Sequence, residues 1–220
     1  MSKDPEQKIA LVTGASRGLG AAMAEALGAK GWHILAVART TGALEELDDR
    51  IRTAGGSATL APMDVTVPEA MLQLSKATLD RWGGLDLWVH CAIHAAPLSL
   101  AAQLDPKDWA KAVATNLDAT RGLMSLIEPL LRLRNGTAMF FDDPHAGQAY
   151  YGNYGATKAG QIALARSWAA ETARLGPRVI VAEPAPMATA VRARFHPGED
   201  RGKLTSCRDE AARILSDAGY

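Results

Sequence analysis

Six short apolar runs, near residues 8–13, 33–38, 57–63, 85–91, 136–141 and 178–183, alternate with longer helix-like segments near 19–30, 42–54, 68–82, 106–134 and 152–175. A buried strand whose chain must return through a helix before the next strand begins builds a parallel sheet with helices on its faces. With right-handed crossovers the pattern predicts an α/β fold of Rossmann type: a doubly wound parallel sheet of about six strands in a three-layer α/β/α arrangement. Ligands of such sheets sit at the carboxyl ends of the strands, where Gly14, Asp64, Cys91 and Asp142 all fall. Pro62, inside the third run, lacks a ladder donor, which suits an edge, and the third strand is an edge in the order 3-2-1-4-5-6. A chain of 220 residues is sized for one such domain over 1–220, and it contains no repeat, low-complexity tract or linker. After the helix-like stretch Arg208 to Asp217 only Ala218, Gly219 and Tyr220 remain, so no seventh strand is expected. Val179 to Ala182 would then form an apolar edge, which favours assembly into a homodimer or homotetramer.

Charge and apolar content narrow the function. Lysine plus arginine (24) balances aspartate plus glutamate (24), so no global field recruits nucleic acid or an anionic membrane. No apolar run reaches membrane-spanning length, and the leading Met-Ser-Lys-Asp-Pro-Glu-Gln-Lys lacks a signal-peptide core, which predicts a cytoplasmic protein. Cys91 and Cys207 lie far apart without a CxxC neighbour and read as free thiols rather than a disulfide or metal site. Cys91, in an apolar strand, is expected to serve packing.

Two local patterns carry chemistry. Thr13-Gly14-Ala15-Ser16-Arg17-Gly18-Leu19-Gly20 lies between the first apolar run and an alanine-rich helical segment. Glycines at 14, 18 and 20 permit a tight turn and close backbone approach, and the amides of the following helix favour phosphate charge. The second pattern is Tyr154-Gly155-Ala156-Thr157-Lys158, whose i, i+4 spacing puts a phenol and an ammonium on one helical face. A nearby cation favours phenolate and lowers the phenol pKa, which suits Tyr154 to general acid/base work on a carbonyl/alcohol pair.

The glycine turn at 13–20, Asp64-Val65 after the third strand, Asn116 in the fourth long helix, and Tyr154 with Lys158 together resemble the short-chain dehydrogenase/reductase family over nearly the whole chain. The resemblance implies that Gly14, Ser16, Arg17, Gly18, Leu19 and Gly20 line the pyrophosphate, and that Asp64 and Val65 meet the adenine. It further implies that Ala92 lies beside the cofactor, that Lys158 holds the nicotinamide ribose and activates Tyr154, and that Asn116 supports a proton relay. Cofactor choice follows from charge. The second strand ends Ala36-Val37-Ala38-Arg39-Thr40, with no acid for a ribose 2′-hydroxyl, while Arg39 and Arg17 offer guanidinium groups to a 2′-phosphate. NADP(H) is expected over NAD(H).

The chain departs from the family where the substrate would sit. After the fifth strand it reads Met139-Phe140-Phe141-Asp142-Asp143-Pro144-His145, with no serine to polarise a carbonyl. Counting back from Tyr154 by the family interval lands on Phe141, and matching forward from Gly136 lands on Asp143. Asp143 could donate only when protonated, His145 in either state, and Tyr150 or Tyr151 offers a hydroxyl or a packing surface. The family's Asn-Asn-Ala-Gly appears as His90-Cys91-Ala92-Ile93, its Pro-Gly after the sixth strand as Pro184-Ala185, and its usual seventh strand is missing. The basic stretch Arg192 to Lys203 falls where the family carries a substrate lid, and two interrupting acids favour a solvated loop. The expected function is an NADP(H)-dependent oxidoreductase moving hydride between nicotinamide and a small carbonyl or secondary alcohol. The alternative is a catalytically impaired dinucleotide-binding protein with a structural or regulatory role.

Overall fold

The computed structural model describes residues 7–220. Residues 1–6, on which the reading of the N-terminus partly rests, lie outside the described residues. Six strands form one parallel sheet: β1 (Ile9–Thr13), β2 (His33–Ala38), β3 (Ser57–Pro62), β4 (Leu87–His90), β5 (Thr137–Phe141) and β6 (Arg178–Ala182), ordered β3-β2-β1-β4-β5-β6. Pro62 is the last residue of edge strand β3, where its missing N–H interrupts no ladder.

The helices are α1 (Gly18–Ala29), α2 (Thr41–Thr53), α3 (Pro68–Trp82), α4 (Pro106–Ala112), α5 (Ala119–Arg132), α6 (Gly152–Thr172), α7 (Ala190–Phe195) and α8 (Cys207–Ala218). Alternate residues of each central strand point to opposite faces, and two cores result. Ala10, Val12 and Ile34 pack with Met23 and Leu27 of α1, Leu47 of α2 and Ile214 of α8. Ile9, Leu11 and Leu35 pack on the other side with Met71 of α3, Ile127 of α5 and Ile162 of α6. This is the three-layer arrangement that the alternation predicts.

Three local expectations are corrected. The segment 106–134 is not one helix, because α4 gives way to a π-helical stretch, Val113–Asp118, before α5 begins. The fourth strand ends at His90, leaving Cys91 half-buried in the turn that follows. Strand β6 is at the sheet edge as expected, yet Val179 to Ala182 are half-buried, since Ile180 and Ala182 pack into the core that holds α8. Its outer rim carries no further strand among the described residues. None of the helices described is long and apolar enough to cross a membrane.

Candidate active site

The turn between β1 and α1 is closed by glycine. Gly14 has φ +75°, and a β-carbon there would lie 2.6 Å from the carbonyl carbon of Cys91. A β-carbon on Gly20 would strike the carbonyl oxygen of Gly14. The turn thus fits against the end of β4, fastened by the amides of Gly14 and Ala15, which both donate to the Val37 carbonyl at 2.9 and 3.1 Å. Arg17 is the exposed N-cap of α1 in extended conformation, and no side chain caps the helix. The first amides of α1, at Gly18, Leu19 and Gly20, therefore lack an intrahelical partner and point from a positive dipole end. An uncapped helix start beside half-buried Ser16 fits a pyrophosphate.

At the end of β2, Arg39 is exposed, its Nη1 3.9 Å from Asp64 Oδ2. Asp64 Oδ1 accepts from Thr66, from the backbone N–H at 2.9 Å and the hydroxyl at 2.8 Å. Val65 and Ala92 are half-buried after β3 and β4. These residues line the carboxyl ends of the strands in one row with the glycine turn.

Tyr154 and Lys158 share the first turns of α6 and are 5% and 7% exposed. The Tyr154 hydroxyl donates to Asp143 Oδ2 at 2.7 Å, and His145 Nε2 lies 3.1 Å from Asp143 Oδ1. Gly155 permits this approach, because a β-carbon there would meet the His145 carbonyl oxygen at 2.8 Å. Phe141 belongs to the core, so of the two positions that face Tyr154 by counting, it is Asp143 that reaches the phenol. Asp142 is not part of that contact: Arg166 donates to its Oδ2 at 2.8 Å and the Asp143 amide to its Oδ1 at 2.8 Å. Tyr151 stacks on the His145 ring with centroids 4.2 Å apart, while Tyr150 is exposed.

The electrostatics reverse one expectation. Burial and then the Asp143 carboxylate drive the Tyr154 phenol above its ordinary value of 10.0, where the sequence predicts that Lys158 lowers it. Burial also pushes Lys158 down to about 8, and its ammonium donates to Gln161 Oε1 at 2.8 Å. Gln161 Nε2 in turn donates to Thr120 Oγ1 at 3.0 Å, and His90 joins Thr120 at 3.0 Å through Nε2 and Thr13 at 2.7 Å through Nδ1. Burial, aided by Lys158, lowers His90 to about 3, so it is neutral. Cys91 is buried enough that its thiol is pushed up to about 12, an inert group. Gln161 and Thr120 escape sequence reasoning, although Gln161 lies at i+3 from Lys158, on the same helical face.

Asn116 is fully buried within the π-helical stretch. Its Oδ1 accepts from the His94 amide at 2.7 Å, and its Nδ2 donates to the His94 carbonyl at 3.0 Å and to Thr157 Oγ1 at 2.9 Å. It thereby ties the segment after β4 to α6, one turn from Tyr154.

In the stretch 192–203 the first half is packed down, while Pro197, Gly198 and Asp200 to Lys203 are exposed, as a solvated loop would be. Arg192, in α7, makes two 2.6 Å bonds to Glu199, and the side chain of Phe195 is buried against Tyr151 and Tyr154, with ring centroids 5.1 and 4.9 Å away. An acid that interrupts the basic run folds it back on itself, and the one aromatic residue anchors it over the site. Phe195 is a third residue that the sequence reading missed.

A family model described as short chain dehydrogenase matches residues 8–200. A 3-oxoacyl-[acyl-carrier-protein] reductase from Vibrio cholerae is 32% identical over 185 residues, 81% of this chain and 73% of that protein. A 3beta-hydroxysteroid dehydrogenase from Eggerthella lenta is 33% identical over 202 residues, 88% of this chain and 76% of its own length. Among solved structures, a Shigella flexneri chain assigned as a short chain dehydrogenase and complexed with NADP superposes with a TM-score of 0.86 at 25% identity, covering 94% of this chain and 90% of that one.

Proposed function

The chain belongs to the short-chain dehydrogenase/reductase family and is an oxidoreductase, and from that premise we propose that it uses NADP(H) to interconvert a carbonyl and a secondary alcohol. The observation that carries the reading is that Asn116 is tied to the segment after β4 and Tyr154, beside Lys158 on α6, to the loop after β5, at the carboxyl ends of the strands where the uncapped start of α1 also lies. Gly14, Ser16, Arg17, Gly18, Leu19 and Gly20 would hold the pyrophosphate, and Asp64 and Val65 the adenine. Arg39 and Arg17 would hold a 2′-phosphate, Ala92 would lie beside the nucleotide, and Lys158 would hold the ribose through the N–H groups that Gln161 leaves free. Reduced nicotinamide supplies the hydride when bound.

The chain's own residues then manage the proton. Tyr154 is the proton donor to a substrate oxygen, Asp143 holds the phenol until substrate arrives, and Asn116 fixes the segment opposite. The whole chain acts as one domain, with small-molecule substrates and self-assembly as its partnerships.

The test is titration of NADPH by fluorescence, followed by oxidation of the bound cofactor with ketones, aldehydes and quinones. Tight binding with turnover supports the reading, and Tyr154→Phe is expected to abolish turnover while leaving NADPH affinity almost unchanged. Undiminished turnover in that variant overturns the role of Tyr154. Tight binding by the unaltered chain without any turnover selects the dinucleotide-binding alternative, and no binding removes both.

A further inference from the structure

We propose that the same site accepts the nitrogen counterpart of a carbonyl, a protonated imine and the amine formed from it, with the Asp143 carboxylate as its cation-binding group. The inference rests on the oxidoreductase reading above and names a further substrate class for it. It starts from the 2.7 Å bond by which the Tyr154 hydroxyl is committed to Asp143 Oδ2. A carbonyl that gains a hydride becomes an alkoxide, and it needs hydrogen-bond donors and then a proton. An ionised carboxylate accepts only, and its charge opposes a developing alkoxide.

A protonated imine makes the opposite demand. Hydride adds to carbon as the new C–H bond, the C=N π pair becomes the nitrogen lone pair, and the cation becomes a neutral amine. Reduced nicotinamide, the hydride source, leaves oxidised with one more positive charge, and no proton is required. A phenol already engaged with Asp143 then obstructs nothing.

The walls around the carboxylate point the same way. Tyr151, Tyr154 and Phe195 form a buried aromatic cluster with Ala95, and a cation is attracted by ring faces as well as by a carboxylate. Of the nearby basic groups, Arg192 is held by Glu199 and Arg194 donates to the Ala95 carbonyl, while Lys158 acts on Asp143 through space without forming an ion pair with it. Among the described residues, the one ion-pairing partner of Asp143 is His145.

Calorimetry on protein saturated with NADP+ compares tetrahydroisoquinolinium with its neutral counterpart 2-tetralol, and steady-state assays with NADPH compare dihydroisoquinolinium with 2-tetralone. The cation is expected to bind about tenfold more tightly or better, the range of a hydrogen bond to a charged group. Asp143→Asn and Asp143→Ser are each expected to erase that preference, and Asp143→Ser to gain turnover of 2-tetralone. The asparagine variant, nearly isosteric, keeps the comparison available should the serine variant fold poorly. Equal or absent binding of the cation, or a preference that survives Asp143→Asn, overturns the inference. Reduction of 2-tetralone without preference for the cation overturns it alone, whereas a protein that binds no NADP(H) takes the oxidoreductase reading down as well.

Discussion

Arg39 stands 3.9 Å from Asp64 with its guanidinium largely in solvent, so it is free to turn toward a dianion at the end of β2. Exposed pairs at that distance contribute little, and an incoming 2′-phosphate would compete with Asp64 for the guanidinium on favourable terms. Arg39→Ala is expected to weaken NADPH binding by about tenfold or more and NADH hardly at all, read by fluorescence titration of both cofactors; equal losses would refute the clamp. The residues of this region are legible in sequence because each sits at a strand end, where topology alone dictates its position. The state of Tyr154 is not. Its spacing to Lys158 is a property of one helix, but its pKa depends on burial and then on Asp143, which arrives from the loop after β5, where counting leaves Phe141 and Asp143 as alternatives.

Elements packed by apolar periodicity emerge from the sequence, and those shaped by a single polar contact do not. Residues 106–134 read as one helix because the apolar pattern continues through the π-helical stretch. What widens the turn is tertiary: Asn116 is held by the backbone of His94, in a segment with no secondary structure of its own. Asn116→Ala leaves the His94 amide and carbonyl without these partners, so a loss of roughly 2 kcal/mol is expected, measured as a lower urea midpoint at unchanged slope. The segment 190–203 is a similar case. Its charges suggest solvent, yet Phe195 decides its position. Phe195→Ala is expected to raise hydrogen exchange across 190–203 and to raise KM more than it lowers kcat. A segment still protected after that change would show that the Arg192–Glu199 pair suffices to hold it.

For the whole molecule the consequential group is His90, which fills the interior between β1, α5 and α6 rather than a surface. Its native value of about 3 lies below the ordinary 6.5, so the unfolded chain binds a proton that the native one refuses. Its contribution to stability is therefore intact above about pH 6.5 and is lost as pH falls toward 3, at up to about 1.4 kcal/mol per unit. His90→Asn is expected to flatten urea-measured stability across that window; an unaltered slope would assign the acid sensitivity to other groups. The row of partners through His90 also has a sense of direction. The Thr120 hydroxyl spends its hydrogen on the Asn116 carbonyl, so it can only receive from Gln161 and from His90. The ring must then carry its hydrogen on Nε2 and receive at Nδ1 from Thr13. Every hydrogen in this thread is assigned, and none can step along it unless all the others reverse. The interior row is thus polarised in one sense, and it is no conduit for a proton between Lys158 and the far side of the sheet.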